Sequence, residues 1–185
     1  HERWPVINAT TIHQFDQYRY LFNEVIRRVC FRGIDVPWNP YDDPGVISGW
    51  LEMKSGFVLS FFKSFVSQVI LDPKHHPYEH GMIQGDHGAI FWEGPWGKGP
   101  IKIHHSGANQ IEYLSQEKRY EINQLDLLRD SLLKGKEVFC PAEDNIWSLA
   151  AIKSAELSAS QGGTVVDVLE FSRLSGLSKS SNSQT

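Results

Sequence analysis

The stretch "GFVLSFFKSFVSQVI", residues 56–70, limits the fold more than any other part of the chain. Read as an extended strand, it carries Phe57, Leu59, Phe61, Phe65 and Val69 on one face. Val58, Phe62, Val66 and Ile70 occupy the other. A strand apolar on both faces has to be covered on both. Helices of the same chain cover one face of a single-layer sheet, so the second face predicts a partner subunit or domain. Lys63, several serines and Gln68 interrupt the run, which excludes a membrane span.

The flanking segments give the element order. Val6 and Ile7 read as a strand already under way. Thr11, with Gln14 three residues later, reads as a capping box that opens a helix running to about Phe22. "EVIRRVCFRGIDV" is rich in β-branched residues and reads as a strand; it ends at "PWNPYDDPG", whose prolines and glycine leave only a loop. "VISGWLEMKSG" pairs with the opening stretch through a turn at Ser55–Gly56. "LDPKHHPYEH" is a loop, and "MIQGDHGAIFWEG", "PIKIHHS" and "NQIEYLS" are strand candidates punctuated by glycines. "RYEINQLDLLRDSLLKGKE" is a helix with Ile122, Leu125, Leu128 and Leu132 on one stripe, stopped at Lys134–Gly135. "PAEDNIWSLAAIKSAELSASQGG" is a second helix, alanine-rich for close packing. "TVVDVLEF" is a last strand; residues 1–171 form one domain and 172–185 a flexible tail. A helix, strands in meander order, two helices and a strand make an α+β domain with a largely antiparallel sheet.

At 185 residues the chain can bury about 70% of its unfolded surface. A net charge of −4 without any Lys/Arg-rich run argues against a nucleic-acid or anionic-membrane surface. Cys30 and Cys140 lie far apart, each beside a phenylalanine. They read as buried apolar thiols, which suits a reducing cytoplasm. No signal peptide is visible.

Chemical motifs are few. "GPWGKGP" lacks the spacing and the following helix of a dinucleotide loop, and no P-loop, G-x-S-x-G or H-E-x-x-H occurs. His75, His76, His80, His87 and His104–His105 invite a metal site, but they lie in a proline-flanked loop and on separate strands; a solvated loop accounts for them, and no metal is expected. Tyr18, Tyr20, Trp38 and Tyr41 read either as core or as a sugar-stacking surface, the loop residues Trp38 and Tyr41 being the better candidates for the latter. His13 has two readings. In a first helical turn the dipole favours a neutral ring that can act as a base; equally, His13 completes the helix start. Asp16, one turn on, either orients His13 or complements the dipole.

Three segments in order resemble the Gfo/Idh/MocA (glucose–fructose oxidoreductase / inositol dehydrogenase) family. "TIHQFDQYRYLF" resembles the H-x-x-D segment that opens its second domain, and "MIQGDHGAIF" its "v-x-G-x-x-G-x-l" strand pair. Residues 126–168 resemble its closing pattern of an oligomer-facing helix, a loop, an Ala-rich helix and a strand. The resemblance covers about Ala9 to Phe171. It implies the second domain of an NAD(P)-dependent enzyme: an open, predominantly antiparallel sheet with helices on one face, whose bare face builds homo-oligomers. A Rossmann domain ahead of it would bind NAD or NADP and supply a lysine, so this chain reads as the C-terminal part of a longer one.

By the same resemblance His13 is the histidine that assists proton transfer from a substrate hydroxyl, and Asp16 is the motif's acidic residue. An aspartate is common four residues before the histidine; Ala9 stands there, with Asn8 and Thr10 as the nearest polar substitutes. The implied substrate is a sugar or cyclitol-type alcohol bound near Asn8, Thr10, Asp16, Trp38 and Tyr41, and the isolated domain would be inactive. Two rivals stand beside this reading: a non-catalytic binding or assembly domain, favoured by Ala9, and a metal-dependent enzyme using the histidine loop.

Overall fold

Where those patterns lead is seen in a computed structural model. It describes residues 3–66, 78–95, 100–107, 111–114, 124–137 and 141–174. The chain divides into two compact units: residues 1–66 with 127–185, and residues 67–126.

In the first unit, β1 (Ile26–Ile34), β2 (Val46–Met53), β3 (Val58–Ser64) and β8 (Val166–Asp167) form an antiparallel sheet in the order β3-β2-β1-β8. The turn after Met53 is closed by the Gly56 N–H bonding the Met53 carbonyl at 3.0 Å, where the hairpin signal at Ser55–Gly56 predicts it. Val29 and Phe31 of β1, Ile47, Leu51 and Met53 of β2, and Phe61 of β3 are buried on one face. Against them pack α1 (Ile12–Phe22), through Phe15, and α3 (Ala142–Ser160), through Ala150, Ala151, Ile152 and Ala155. Phe15 lies 5.7 Å from Phe31 and 5.9 Å from Phe61, and these two rings lie 5.8 Å apart. Each such pair contributes about 0.5–1.5 kcal/mol beyond the area it buries.

On the outer face of β3 Val58 is exposed and Phe62 is 68% exposed, whereas Val66, which the alternation assigns to the same face, is buried. Val69 and Ile70 lie outside the described residues. Cys30, also on the outer face of β1, is half-buried rather than part of the core, and its thiol donates to the Gly163 carbonyl at 3.0 Å. Cys140 lies outside the described residues.

Three sequence expectations in this unit need correction. Val6 and Ile7 are not a strand; with Asn8–Thr11 they form a π-helical turn that runs straight into α1, and both are buried. Thr11 is therefore no N-cap. Its backbone is already helical, and its buried hydroxyl donates to the Val6 carbonyl at 2.7 Å, five residues back, which suits the wide turn. The last strand is only Val166–Asp167, and Val168–Leu174 is a helix, α4, in which Ser172 is buried. Asp167 makes the switch by accepting the Glu170 N–H at 3.0 Å, an N-cap that outweighs the β-branched run around it.

The second unit is a four-stranded antiparallel meander: β4 (Tyr78–Gly85), β5 (Gly88–Pro95), β6 (Ile101–His105) and β7 (Ile111–Leu114). β4 begins inside the segment read as loop, so His80 is a strand residue. Gly81 faces Trp92 across the ladder, and a Cβ there would enter the indole ring. The α+β, antiparallel reading is met, with the described strands divided between two sheets. The helix α2 (Gln124–Lys134) spans the boundary between the units; Leu125, Leu128, Leu132 and Leu133 are exposed on it. Gly135 closes it at φ +62°, where the Lys134–Gly135 stop is expected. No helix among the described residues is long and apolar enough to cross a membrane.

One buried charge ties helix to helix. Arg19 of α1, 7% exposed, donates to Ser148 at 2.7 Å and to Asp144 at 2.6 Å, both on α3. Arg19→Ala opens a cavity and removes the donor to Ser148 and Asp144, while Ser148 keeps its bond to Asp16, and should cost about 1–3 kcal/mol in denaturant unfolding; the figure is kept low because Asp144 is largely exposed. A change below about 0.5 kcal/mol would show that the helices need no such link. At the end of α2, hydrogen bonds from Lys134 (2.9 Å) and Lys136 (3.2 Å) hold the Asp130 carboxyl below its ordinary value of 3.8. This stabilisation is complete above the unfolded-state pKa and is lost as pH falls through the lower folded value. The Asp130 carboxyl resonance should therefore titrate below 3.8, and lose part of that shift in Lys134→Ala, with Lys136 still in place.

Candidate functional site

The π-helical turn and the first turn of α1 carry Asn8, Ala9, Thr10 and His13 as one helical run. His13 is exposed, and among the described residues nothing hydrogen-bonds its ring. Since helical backbone already precedes it, His13 is not in a first turn, and the dipole argument for a neutral ring does not apply. Ala9 and His13, four apart on the run, are neighbours on its exposed side. The position where a carboxylate is common in the resembling family thus faces the histidine but holds only a methyl group.

Asp16 points elsewhere. Its carboxylate accepts from Ser148 at 2.7 Å and lies 3.5 Å from Arg19, so the structure uses it to seat α1 on α3. Asn8 is similarly engaged: its amide N–H donates to the Arg3 carbonyl at 2.6 Å, and its carbonyl accepts from Lys153 at 3.2 Å. Lys153 also donates to Glu156 at 2.8 Å. The sequence signal for Lys153 and Glu156 is two opposite charges three residues apart in the alanine-rich part of the helix. The Thr10 hydroxyl is buried without a hydrogen-bond partner among the described residues.

Trp38 and Tyr41 are brought together at the end of β3. Trp38, 51% exposed, donates its indole N–H to the Val66 carbonyl at 2.8 Å. Tyr41, 42% exposed, sets its ring 6.4 Å from that of Phe65. The loop that carries them is latched from within by Asn39, whose amide donates to Asp35 (2.8 Å) and to the Asp43 carbonyl (2.9 Å). Asp43 in turn accepts the backbone N–H of Trp4 at 2.9 Å. Trp4 is buried at φ +51°, its ring lying over Gly33, where a Cβ would come within 2.6 Å of it. The loop and the helical run thus share an anchor. Of the other two aromatic candidates, Tyr18 is half-buried against the core and Tyr20 is exposed.

A second link joins the two groups. Lys63, near the end of β3, donates to the Gln14 side-chain carbonyl at 2.8 Å. Gln14 therefore bonds across to the sheet rather than back to Thr11. Among the described residues neither Asn8 nor Thr10 hydrogen-bonds Trp38 or Tyr41; His13 is tied to that end through its neighbour Gln14. His75 and His76 lie outside the described residues. Among those described, no group of three His, Cys, Asp or Glu side chains is placed to hold a metal ion.

Comparison with known proteins places this arrangement. No protein-family model matches the sequence, and no curated protein matches it. Solved structures share its fold. With UDP-N-acetylglucosamine 3-dehydrogenase from Acidithiobacillus ferrooxidans the TM-score is 0.68 at 17% identity, over 86% of this chain and 48% of that one. With the aldose–aldose oxidoreductase from Caulobacter crescentus, complexed with glycerol, it is 0.66 at 15% identity, over 89% and 51%. An oxidoreductase from Agrobacterium radiobacter, in complex with NAD+, L-tartaric acid and magnesium, gives 0.66 at 21%, over 89% and 49%. The chain has the fold of one part of each of these proteins. It spans about half the length of each.

Lys153→Met removes the donor to the Asn8 carbonyl and leaves the Asn8 amide bonded to the Arg3 carbonyl. The Asn8 side-chain resonances should shift in a nitrogen–proton NMR spectrum while staying clear of the solvent-averaged position. A spectrum identical to wild type would show that Lys153 does not hold the Asn8 carbonyl.

Proposed function

We propose that this chain is the substrate-binding and oligomerisation domain of an NAD(P)-dependent oxidoreductase that acts on a sugar or cyclitol-type alcohol. The observation that carries the reading is the shared fold: most of this chain matches about half of oxidoreductases, two of whose names denote sugar chemistry. His13, exposed at the H-x-x-D position, and the exposed rings of Trp38 and Tyr41 at the end of β3 support it.

NAD or NADP belongs to the parent protein. A Rossmann domain of that protein would hold it, since the sequence carries no glycine-rich dinucleotide fingerprint of the G-x-G-x-x-G type. This chain's part is then substrate orientation and proton transfer: the imidazole of His13 takes the proton of the hydroxyl being oxidised. The exposed Phe62 and Val58 face of β3 supports a homo-oligomer contact. The separated cysteines suit a cytoplasmic enzyme.

A non-catalytic binding or assembly domain is the second reading. Ala9 favours it, as does Asp16, whose carboxylate is committed to Ser148 and Arg19. Assays of the full-length protein with NAD(P) and a panel of polyols separate the two. Under the first reading His13→Ala lowers kcat about 10²–10⁴-fold, the usual share of a general base. Ala9→Asp places a carboxylate next to His13 and should move the acidic limb of the pH–rate profile upward, since the anion favours imidazolium and the base is then lost at higher pH. Turnover unchanged by His13→Ala would remove the catalytic reading.

A further inference from the structure

We propose that Gln14 and Lys63 form a donor clamp that binds adjacent hydroxyl oxygens of a polyol substrate at the end of β3. This rests on the reading of the chain as a substrate domain, and names the residues that would determine its specificity. Lys63 stands on the same side of β3 as the buried Phe61 and the half-buried Phe65, a register that faces the helices. Its stem follows that apolar face while its ammonium reaches Gln14, the residue after His13. An ammonium can only donate, so the Gln14 carbonyl oxygen has to face it. The orientation of the amide is thereby settled, and its two N–H donors are turned away from Lys63.

Within three residues of Lys63, the same strand end receives the loop aromatics: Tyr41 on Phe65 and Trp38 on the Val66 carbonyl. Exposed rings at the same strand end as a Lys63–Gln14 pair with an oriented amide suit a ligand with a C–H face and a rim of hydroxyls. A mere staple between α1 and β3 would use the same 2.8 Å bond but would leave ligand binding indifferent to it.

Saturation-transfer NMR on the full-length protein, with myo-inositol and D-glucose as probes, decides the matter. Wild type should bind at least one of them, and Lys63→Met and Gln14→Leu should each raise that Kd about tenfold. Lys63→Arg, which keeps a donor on a long stem, should stay within about threefold. If Lys63→Met does not fold by circular dichroism, Gln14→Leu carries the decision. A Kd within twofold of wild type in Gln14→Leu, or no binding of either polyol by wild type, overturns the clamp. These outcomes are independent of turnover in His13→Ala, which tests the oxidoreductase reading itself.

Discussion

The contact among Phe15, Phe31 and Phe61 is the constraint from which the first unit is built. It brings one residue each from α1, β1 and β3 to a single point, with rings 5.7–5.9 Å apart. Fixing Phe15 sets the rotation of α1, which in turn puts Arg19 toward α3, Gln14 toward β3 and His13 toward solvent. Each buried aromatic side chain is worth about 1.5–3 kcal/mol on area alone. The polar links around the triad then select one orientation among those the apolar packing would accept.

Those polar links divide the motif residues between structure and ligand. Asp16 and Arg19, inside the H-x-x-D segment, are spent on seating the helix against Ser148 and Asp144. Asn8 is held by Arg3 and Lys153. His13, Trp38 and Tyr41 keep exposed surface, and Lys63 with Gln14 spans the space between helix and sheet. The proposed site at the end of β3 therefore draws on His13, Trp38 and Tyr41 together with the Gln14–Lys63 link, and not on all the polar residues of the motif.

Some of this was legible from the chain and some was not, for identifiable reasons. The alternation of Phe57, Leu59 and Phe61 with Val58 and Phe62 states the strand and its uncovered face, because the period of two fixes which side each residue takes. The start of α1 misleads, since Thr11 with Gln14 has the spacing of a capping box while both side chains bond elsewhere: Thr11 to Val6, Gln14 to Lys63. Val165, Val166 and Val168 suggest a longer strand, and one aspartate cap at Asp167 ends it. The pairing of Lys153 with Asn8 spans 145 positions, a separation no local pattern encodes.

By itself, then, the sequence determined the antiparallel α+β class, the meander order, the alanine-rich packing helix and the histidine placed on an exposed helical segment. These follow from periodicity and from turn residues, which act over a few positions. The tertiary structure alone decided that Val6–Thr11 is a wide helical turn, that Asp16 and Asn8 are committed to the scaffold, and that Lys63 meets Gln14 beside the Trp38–Tyr41 loop. A side-chain hydrogen bond goes to whichever partner packing brings within about 3 Å, and packing is settled by contacts between residues far apart in the chain.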